Sequence, residues 1–232
     1  MRLRTKRRAR ISTAIISACT LTVMLMSSCG ISLDKSPRAI QPATSTTTTI
    51  DMPSINAAVS NLYFVLDESL IPVPTKVPDR ATSTLISELL KPIPKSDEQL
   101  PIRSAIPTGT KLLSATTRGT QLTIDLSEEF DNLVGLSRQR ALSQIVFTVT
   151  DIGASSEATS VREVKFQIAG EDIQVASPVR GDVPSAGVCD FKGLLATKDQ
   201  LTDATIPDDE TRQELIDALD DRRTSLDRIC GK

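Results

Sequence analysis

The first 29 residues place three features in a fixed order: a basic stretch, an uncharged apolar stretch and a cysteine. Residues 1–10 carry six basic side chains and no acidic one, and the following 18 residues carry no charge. A basic segment, an apolar segment and small residues before a cleavage point are typical of a secretory signal. Because the positive charge stays on the cytoplasmic side, we expect the rest of the chain to be exported.

The segment Met26-Ser27-Ser28-Cys29 resembles a lipobox, in which the cysteine receives acyl chains such as palmitate and becomes the first mature residue. We therefore predict a lipoprotein signal peptide at residues 1–28, lipidation of Cys29 and attachment to the extracytoplasmic face of the cell membrane. Cys19 follows a similar motif, but cleavage there would leave a very short apolar core. An uncleaved signal anchor is the other alternative, because 18 residues is at the low end of a membrane span.

Export changes the charge and redox state expected of the remaining chain. Removing the six basic residues of 1–28 from 27 leaves 21 against 29 acidic residues, a net charge of −8. Such a surface disfavours nucleic acid, whose phosphates must be neutralised by Lys and Arg. Cys189 and Cys230 are then the only two free thiols, and in an oxidising compartment they predict one disulfide. A redox or metal pair is the alternative, but the chain offers no further cysteine and no histidine to complete it.

The composition divides the exported part into three segments. Residues 29–59 are rich in Ser, Thr and Pro and are predicted to be a flexible tether, whose Thr-rich part (residues 44–49) is either a plain spacer or a site of O-linked sugars. Residues 60–178 alternate apolar and polar patterns and form the predicted domain. Residues 179–232 form a C-terminal extension that ends in an amphipathic helix.

Hydrophobic periodicity predicts the elements of the domain. A continuous apolar run at 62–66 indicates a buried strand, and the prolines of 70–74 confine the next strand to a sheet edge. The remaining predictions are a helix at 81–91, a hairpin of 111–117 and 120–126 around Arg118-Gly119, a helix at 136–152 capped by Ser137, a strand at 161–168, and a helix after Pro207 with Leu215, Leu219, Leu226 and Ile229 on its apolar side. Tyr63, Phe64, Phe130, Phe147 and Phe166 occupy apolar registers and are predicted core residues.

Four stretches in this order carry a family resemblance: LYFVLDESLIPVP, the block IPTGTKLLSATTRGTQLTIDLSEEF, LSRQRALSQIVFTVTD and VREVKFQIAGEDI. Together they resemble the GerMN domain, first described in a sporulation and spore-germination lipoprotein. The most specific motifs are I-P-x-G-T-x-L at 106–112 and D-L-S-x-x-F at 125–130. The resemblance covers about residues 60–175 and does not extend into the C-terminal segment.

The element order and the resemblance imply an α/β fold of the α+β type. We expect a small mixed sheet with two helices packed on it and an added C-terminal helix. The resemblance also implies a non-catalytic interaction module of the cell envelope, with an envelope protein as partner and no cofactor. The alternative function is binding of a small ligand or a peptidoglycan fragment.

The chain offers few groups for catalysis. It has no histidine, which removes His-based nucleophile activation and most catalytic zinc sites. Asp125, Glu128, Glu129 and Asp131 are the best candidates for acid–base work on sugars or for binding a cation. Their positions at a strand end and in a capped turn favour a structural role instead. We therefore predict no catalytic, cofactor-binding or metal-binding residue.

Overall fold

The computed structural model describes residues 58–93, 99–151 and 161–231. The predicted signal peptide, the predicted lipidation site Cys29 and nearly all of the predicted tether lie outside these residues. Within the described residues, strands occupy Ala58–Leu66 (β1), Ser69–Val77 (β2), Ile102–Arg103 (β3), Leu112–Arg118 (β4), Gln121–Leu126 (β5), Glu163–Ile168 (β6), Glu171–Asp172 (β7), Val175–Ser177 (β8) and Gly181–Val183 (β9). The α-helices of the same part of the chain occupy Thr82–Leu89 (α1), Gly135–Thr150 (α2), Val188–Phe191 (α3), Lys198–Asp203 (α4) and Asp209–Cys230 (α5).

The first sheet has the antiparallel order β2-β1-β3. Residues 62–66 of β1 are buried without interruption, which confirms the predicted buried strand. Pro72 and Pro74 lie in β2 at the edge of this sheet, as predicted, because proline has no N–H to donate to a further strand. Helix α5 packs on β2 and covers it, so β2 is buried although it is an edge strand.

The second sheet has the order β4-β5-β6-β7, with β5 and β6 parallel and the outer pairs antiparallel. The predicted hairpin of β4 and β5 is present, but Arg118 pairs with Gln121, so its turn is Gly119-Thr120, one residue later than expected. Gly119 adopts a φ of +60°, which glycine reaches without steric cost. Leu122, Ile124 and Leu126 of β5 are buried, which confirms the predicted alternation.

Helix α2 connects the parallel strands β5 and β6 and is the central helix of the molecule. Residues 141–149 are all buried, because α2 contacts β1, α1, α3 and β8 around its circumference. This burial explains why its β-branched half stays helical: tertiary packing overrides the weak helix propensity of Val, Ile and Thr. The predicted N-cap Ser137 is wrong, because the helix begins at Gly135 and its N-cap position is Val134.

The α+β fold class is confirmed, but the strands form three sheets where one small mixed sheet was expected. The third is the β8–β9 hairpin, within the part of the chain that the structure describes. Tyr63, Phe64, Phe130, Phe147 and Phe166 are all buried, as predicted. On α5, Leu215, Leu219 and Leu226 are buried as expected, whereas Ile229 continues their helical spacing but is 62% exposed.

Candidate functional site

A disulfide between Cys189 and Cys230 joins α3 to the last residue of α5. The two Cα atoms lie 5.5 Å apart and are separated by 41 positions in the chain. These are the two cysteines for which the sequence predicts a disulfide. The bond fixes the C-terminal end of α5 to the rest of the molecule.

An open cleft of about 650 Å³ lies beside this bond, and Cys189 lines it. Its apolar lining comes from Val161, Val179, Val188 and Ile229. Val179 and Ile229 are 73% and 62% exposed. Apolar side chains exposed around a concave surface are typical of binding sites. We therefore take this disulfide cleft as the candidate functional site.

One wall of the disulfide cleft is held by a charged pair, Arg180 and Asp190. The guanidinium donates from Nε to Asp190 Oδ1 at 2.6 Å and from Nη2 to Asp190 Oδ2 at 2.7 Å. Asp190 Oδ1 also accepts the Ser177 hydroxyl at 2.7 Å, and Oδ2 accepts the Gly187 N–H at 2.8 Å. A two-point Arg–carboxylate pair of this kind has a fixed geometry. Asp190 therefore ties β8, the 178–180 turn and the start of α3 together.

Asp190 stays ionised despite its position, with only 5% of its surface exposed. Burial alone would raise the pKa of this carboxyl. The hydrogen bonds from Arg180, Ser177 and the Gly187 N–H outweigh burial, so the pKa lies below its ordinary value. The side chain is thus negatively charged at neutral pH within the wall of the cleft.

The floor of the disulfide cleft contains Arg222, an α5 residue that is 4% exposed. Its Nη2 donates to Thr150 Oγ1 at 2.8 Å, its Nη1 lies 3.5 Å from Asp151 Oδ1, and its guanidinium lies over the Phe147 ring at 5.7 Å. Among the described residues, its Nε has no hydrogen-bond acceptor. Arg222 therefore fixes α5 to the end of α2 and keeps one buried donor unsatisfied.

Asp151 is the centre of a second, partly buried network next to Arg222. It accepts hydrogen bonds from the Tyr63 hydroxyl at 2.5 Å and from Asn61 Nδ2 at 3.0 Å, both to Oδ2. Burial raises the pKa of Tyr63 well above its ordinary value, and the nearby Asp151 carboxylate raises it further. The phenol is thus a neutral donor and supplies no base to the cleft.

Arg162 contributes a cation at the rim of the disulfide cleft. Its backbone is fixed, because its N–H donates to Thr120 O at 2.8 Å and its carbonyl oxygen lies against Gly187. A Cβ at Gly187 would be 2.6 Å from that oxygen, so the approach requires glycine. The Arg162 side chain is exposed, and within the described residues no carboxylate pairs with it. The cleft therefore combines an apolar lining with a cation available at its rim.

The carboxylates considered for catalysis lie elsewhere. Glu128, Glu129 and Asp131 border a second, wider cleft of about 740 Å³, and Asp125 is not among its lining residues. Asp125 accepts the Gly170 N–H at 3.0 Å, and Asp131 pairs with Arg138 at 3.2 Å. The Ser127 hydroxyl, which donates to Glu129, lowers the pKa of that carboxyl. Within the described part of the chain, no group of acidic or cysteine side chains is arranged to hold a metal ion.

Sequence reasoning missed Asp190 and Arg222, the two buried charges of the disulfide cleft. A signal for Arg222 exists, because positions 215, 219, 222 and 226 follow helical spacing and place it in the apolar row of α5. No local pattern marks Asp190, whose partners come from the preceding 13 residues through turns.

Within the described residues, no helix is both long and apolar enough to pass through a bilayer.

Comparison with known proteins identifies the central part of the chain. The family model described as sporulation and spore germination (Germane) matches residues 61–174. The tandem GerMN domains of the sporulation protein GerM from Bacillus subtilis align with a TM-score of 0.42 and 19% identity, over 62% of this chain and 48% of that one. The chain thus spans about half the length of that tandem structure. No curated protein matches the chain.

Two further solved structures are similar to it. The first GerMN domain of the same Bacillus subtilis protein aligns with a TM-score of 0.38 and 22% identity, over 55% of this chain and 92% of that one. A protein from Clostridium perfringens named as a candidate lipoprotein aligns with a TM-score of 0.36 and 19% identity, over 61% and 95%. From the family match and the motifs at 106–112 and 125–130, this chain belongs to the GerMN-domain proteins, with the domain at residues 61–174.

Proposed function

We propose that this chain is a lipid-anchored, non-catalytic binding module of the cell envelope. In this proposal the disulfide cleft receives an extended segment of an envelope protein. The observation that carries it is the combination of an exposed apolar lining, Val179 and Ile229, with the rim cation Arg162. The occupant is a segment with an apolar side chain next to a carboxylate.

The rigidity of the disulfide cleft supports binding. The Cys189–Cys230 bond, the Arg180–Asp190 pair and the buried Arg222 each fix a different part of the cleft. A preformed cleft loses little conformational entropy when it binds, so more of the contact energy remains as affinity.

The charges of the disulfide cleft support an acidic occupant. Arg180 is neutralised by Asp190, and Arg222 lies near Asp151. Glu163 is a carboxylate of the lining that is held by the Ser185 hydroxyl at 2.7 Å and forms no ion pair among the described residues. Arg162 therefore remains as the cation that can pair with a ligand carboxylate. An Arg–carboxylate pair at the rim contributes mainly to specificity and to the association rate.

The assignment as non-catalytic is also part of the proposal. The full sequence contains no histidine, and Asp125 and Asp131 are bound to a backbone N–H and to an arginine. The carboxylates of the second cleft are separate from the apolar lining of the disulfide cleft.

Photo-crosslinking in intact cells tests the proposed site. A photoreactive amino acid would replace Val179 or Ile229 in the full chain, and Val134 would be the control. Val134 is 76% exposed and precedes α2, whereas Thr150 at the other end of that 16-residue helix lines the cleft, about 24 Å away. We expect a specific protein product from positions 179 and 229 and none from position 134.

The same experiment with Arg162→Glu tests the occupant. A charge reversal should reduce the crosslinked product about tenfold, because a like charge would face the ligand carboxylate. An equal yield of crosslinked product from position 134 would contradict the proposed site. A yield that Arg162→Glu leaves unchanged would contradict the proposed ligand chemistry.

The second candidate is a binder of a small ligand or a peptidoglycan fragment in the same cleft. Its volume of about 650 Å³ favours this candidate, since it lies in the range of small-molecule sites. A rise in the melting temperature with added muropeptide, lost in Arg162→Glu, would select it over the protein-binding function. No shift at millimolar muropeptide would exclude that ligand.

A further inference from the structure

The edges of the described sheets differ in how they are protected. At β2, Pro72 and Pro74 remove N–H donors and α5 covers the strand. Strands β3 and β7 have only two residues each, and β7 consists of Glu171 and Asp172. Proline, charge, short length and covering helices are the means by which proteins prevent edge strands from pairing with other chains.

Strand β4 has one of these protections, because α1 packs against it, but it lacks the others. It spans seven residues, LLSATTR, contains no proline, and carries one charge, at its last residue Arg118. Five of its seven residues are exposed. A β-bulge lies between Leu112 and Ser114, so the regular edge runs from Ser114 to Arg118. This regular edge is therefore open to another strand.

The register of the hairpin defines which backbone groups are available. Because the turn has two residues, Arg118 and Gln121 form the hydrogen-bonded pair that closes it, and Thr116 and Thr123 form the next one. The intervening residues Ala115 and Thr117 direct their N–H and C=O groups away from β5. On the other side of β5, the carbonyls of Thr120 and Leu126 accept hydrogen bonds from residues flanking β6, as this alternation requires.

Within the described residues, no group outside the hairpin forms a hydrogen bond with the backbone of Ala115 or Thr117. We propose that β4 pairs with β4 of a second copy of this chain, antiparallel and centred on Thr116. Ala115 of each copy then exchanges both backbone hydrogen bonds with Thr117 of the other. The two four-stranded sheets become one continuous sheet. This inference is independent of the disulfide cleft.

The side chains of β4 are compatible with antiparallel pairing to β4 of a second copy. With the two-fold axis at Thr116, this residue faces its own equivalent, and Thr–Thr pairs across strands are favourable. Arg118 faces Ser114 of the other copy, so no two like charges are opposed. Thr116 lies opposite Thr123 of β5, on the face away from the buried Leu122, Ile124 and Leu126. Substitutions at Thr116 therefore leave the core untouched.

Cysteine substitution in the full-length protein tests this pairing. In a pair without hydrogen bonds between the two residues, the Cα atoms are about 4.5 Å apart, within the range of a disulfide. Thr116→Cys should therefore give a disulfide-linked dimer on a non-reducing gel of cell membranes. The control Arg118→Cys lies on the same exposed strand but far from its equivalent in the other copy, and it should give no dimer.

Charge substitution supplies a second measurement that a folding defect cannot imitate. Thr116→Lys and Thr116→Glu should each weaken association of the purified full-length protein about tenfold, because like charges meet on the axis. An equal mixture of the two variants should recover dimers in analytical ultracentrifugation. The proposal would be overturned if the wild type is monomeric, or if the mixture of the two charge variants stays monomeric. It would also be overturned if Arg118→Cys forms as much linked dimer as Thr116→Cys, or if Thr116→Cys becomes linked to a different protein.

Discussion

At the scale of single residues, Asp190 combines burial with charge. Its carboxylate accepts hydrogen bonds from Arg180, Ser177 and the Gly187 N–H, so three segments depend on one side chain. Removing one member of such a network leaves the remaining donors without an acceptor. A change at Asp190 should therefore affect stability more than a change at an exposed ion pair such as Lys198–Asp220.

We expect Asp190→Asn to lower the free energy of unfolding by about 2 kcal/mol at neutral pH, because the charge that binds Arg180 is lost. The pKa of Asp190 is lowered in the folded state, so its contribution is complete above the ordinary aspartate value of about 3.9 and is lost as the pH falls through the folded value. Urea unfolding at pH 7, 5 and 3 measures this. The difference from the wild type should be the same at pH 7 and 5 and should shrink at pH 3. A constant difference down to pH 3 would exclude the charge as its cause.

Gly187 is needed for close packing and not for an unusual backbone angle. A Cβ there would lie 2.6 Å from the Arg162 carbonyl oxygen, a backbone atom with little freedom to move. We expect Gly187→Ala to lower stability by about 1–3 kcal/mol through overpacking. Gly193→Ala is the matched control, because nothing lies within 4 Å of its Cβ. Thermal unfolding of both variants compares them, and equal melting temperatures would contradict the packing argument.

At the scale of elements, α5 is held at both ends by different means. Its first half packs on β2 through Leu215 and Leu219, and Asp208 accepts the Thr211 N–H at 2.7 Å as N-cap. Its last turn depends on the Cys189–Cys230 bond and on the Lys192–Asp227 pair at 2.7 Å. The two halves should therefore respond differently when the disulfide is removed.

The double variant Cys189→Ser/Cys230→Ser should lose about 2–4 kcal/mol of stability, the usual contribution of a disulfide that closes a loop of this length. Hydrogen exchange should accelerate in residues 221–230 and much less in residues 209–216, which serve as the control within the same helix. Reduction of the wild type should reproduce the pattern. Uniform acceleration along α5 would show that the bond holds the whole helix and not its end.

At the scale of the whole molecule, the proposed lipid anchor determines where the disulfide cleft and the β4 edge are presented. Cys29→Ser should move the protein from the membrane fraction to the soluble exported fraction, because the proposed acylation site is lost. Cys19→Ser should leave it in the membrane. Cell fractionation with immunoblotting measures both. Retention of the Cys29→Ser protein in the membrane would favour Cys19 or an uncleaved anchor.

The elements of the domain were predictable because their patterns are local. The buried run at 62–66, the alternation of Leu122, Ile124 and Leu126, and the prolines of β2 each express a rule that acts over a few residues. The predicted α2 cap at Ser137 was wrong because helix ends depend on small differences between neighbouring residues. Ile229 follows the helical period of α5 but stays exposed, because it lines the open disulfide cleft.

The candidate site could not be predicted in the same way, because its parts are distant in the chain. Arg222 forms a hydrogen bond with Thr150, 72 positions away in the chain. Gly187 lies against the carbonyl oxygen of Arg162, which is also distant in the chain. No local pattern carries these approaches. The packing of α5 on β2 places Arg222 beside Thr150, and the bridge between Val164 and Ala186 places Gly187 beside Arg162.

The sequence alone determined the family, the α+β class, the buried strands and aromatic core, and the cysteines available for a disulfide. The family follows from the resemblance of motifs such as those at 106–112 and 125–130, and the other features follow from periodicity and residue counts, which need no knowledge of distant contacts. The division into three sheets, the buried Asp190 and Arg222, the disulfide cleft and the open β4 edge were decided by the tertiary structure. The physical reason is that burial, charge pairing and strand order depend on which distant surfaces meet when the chain packs.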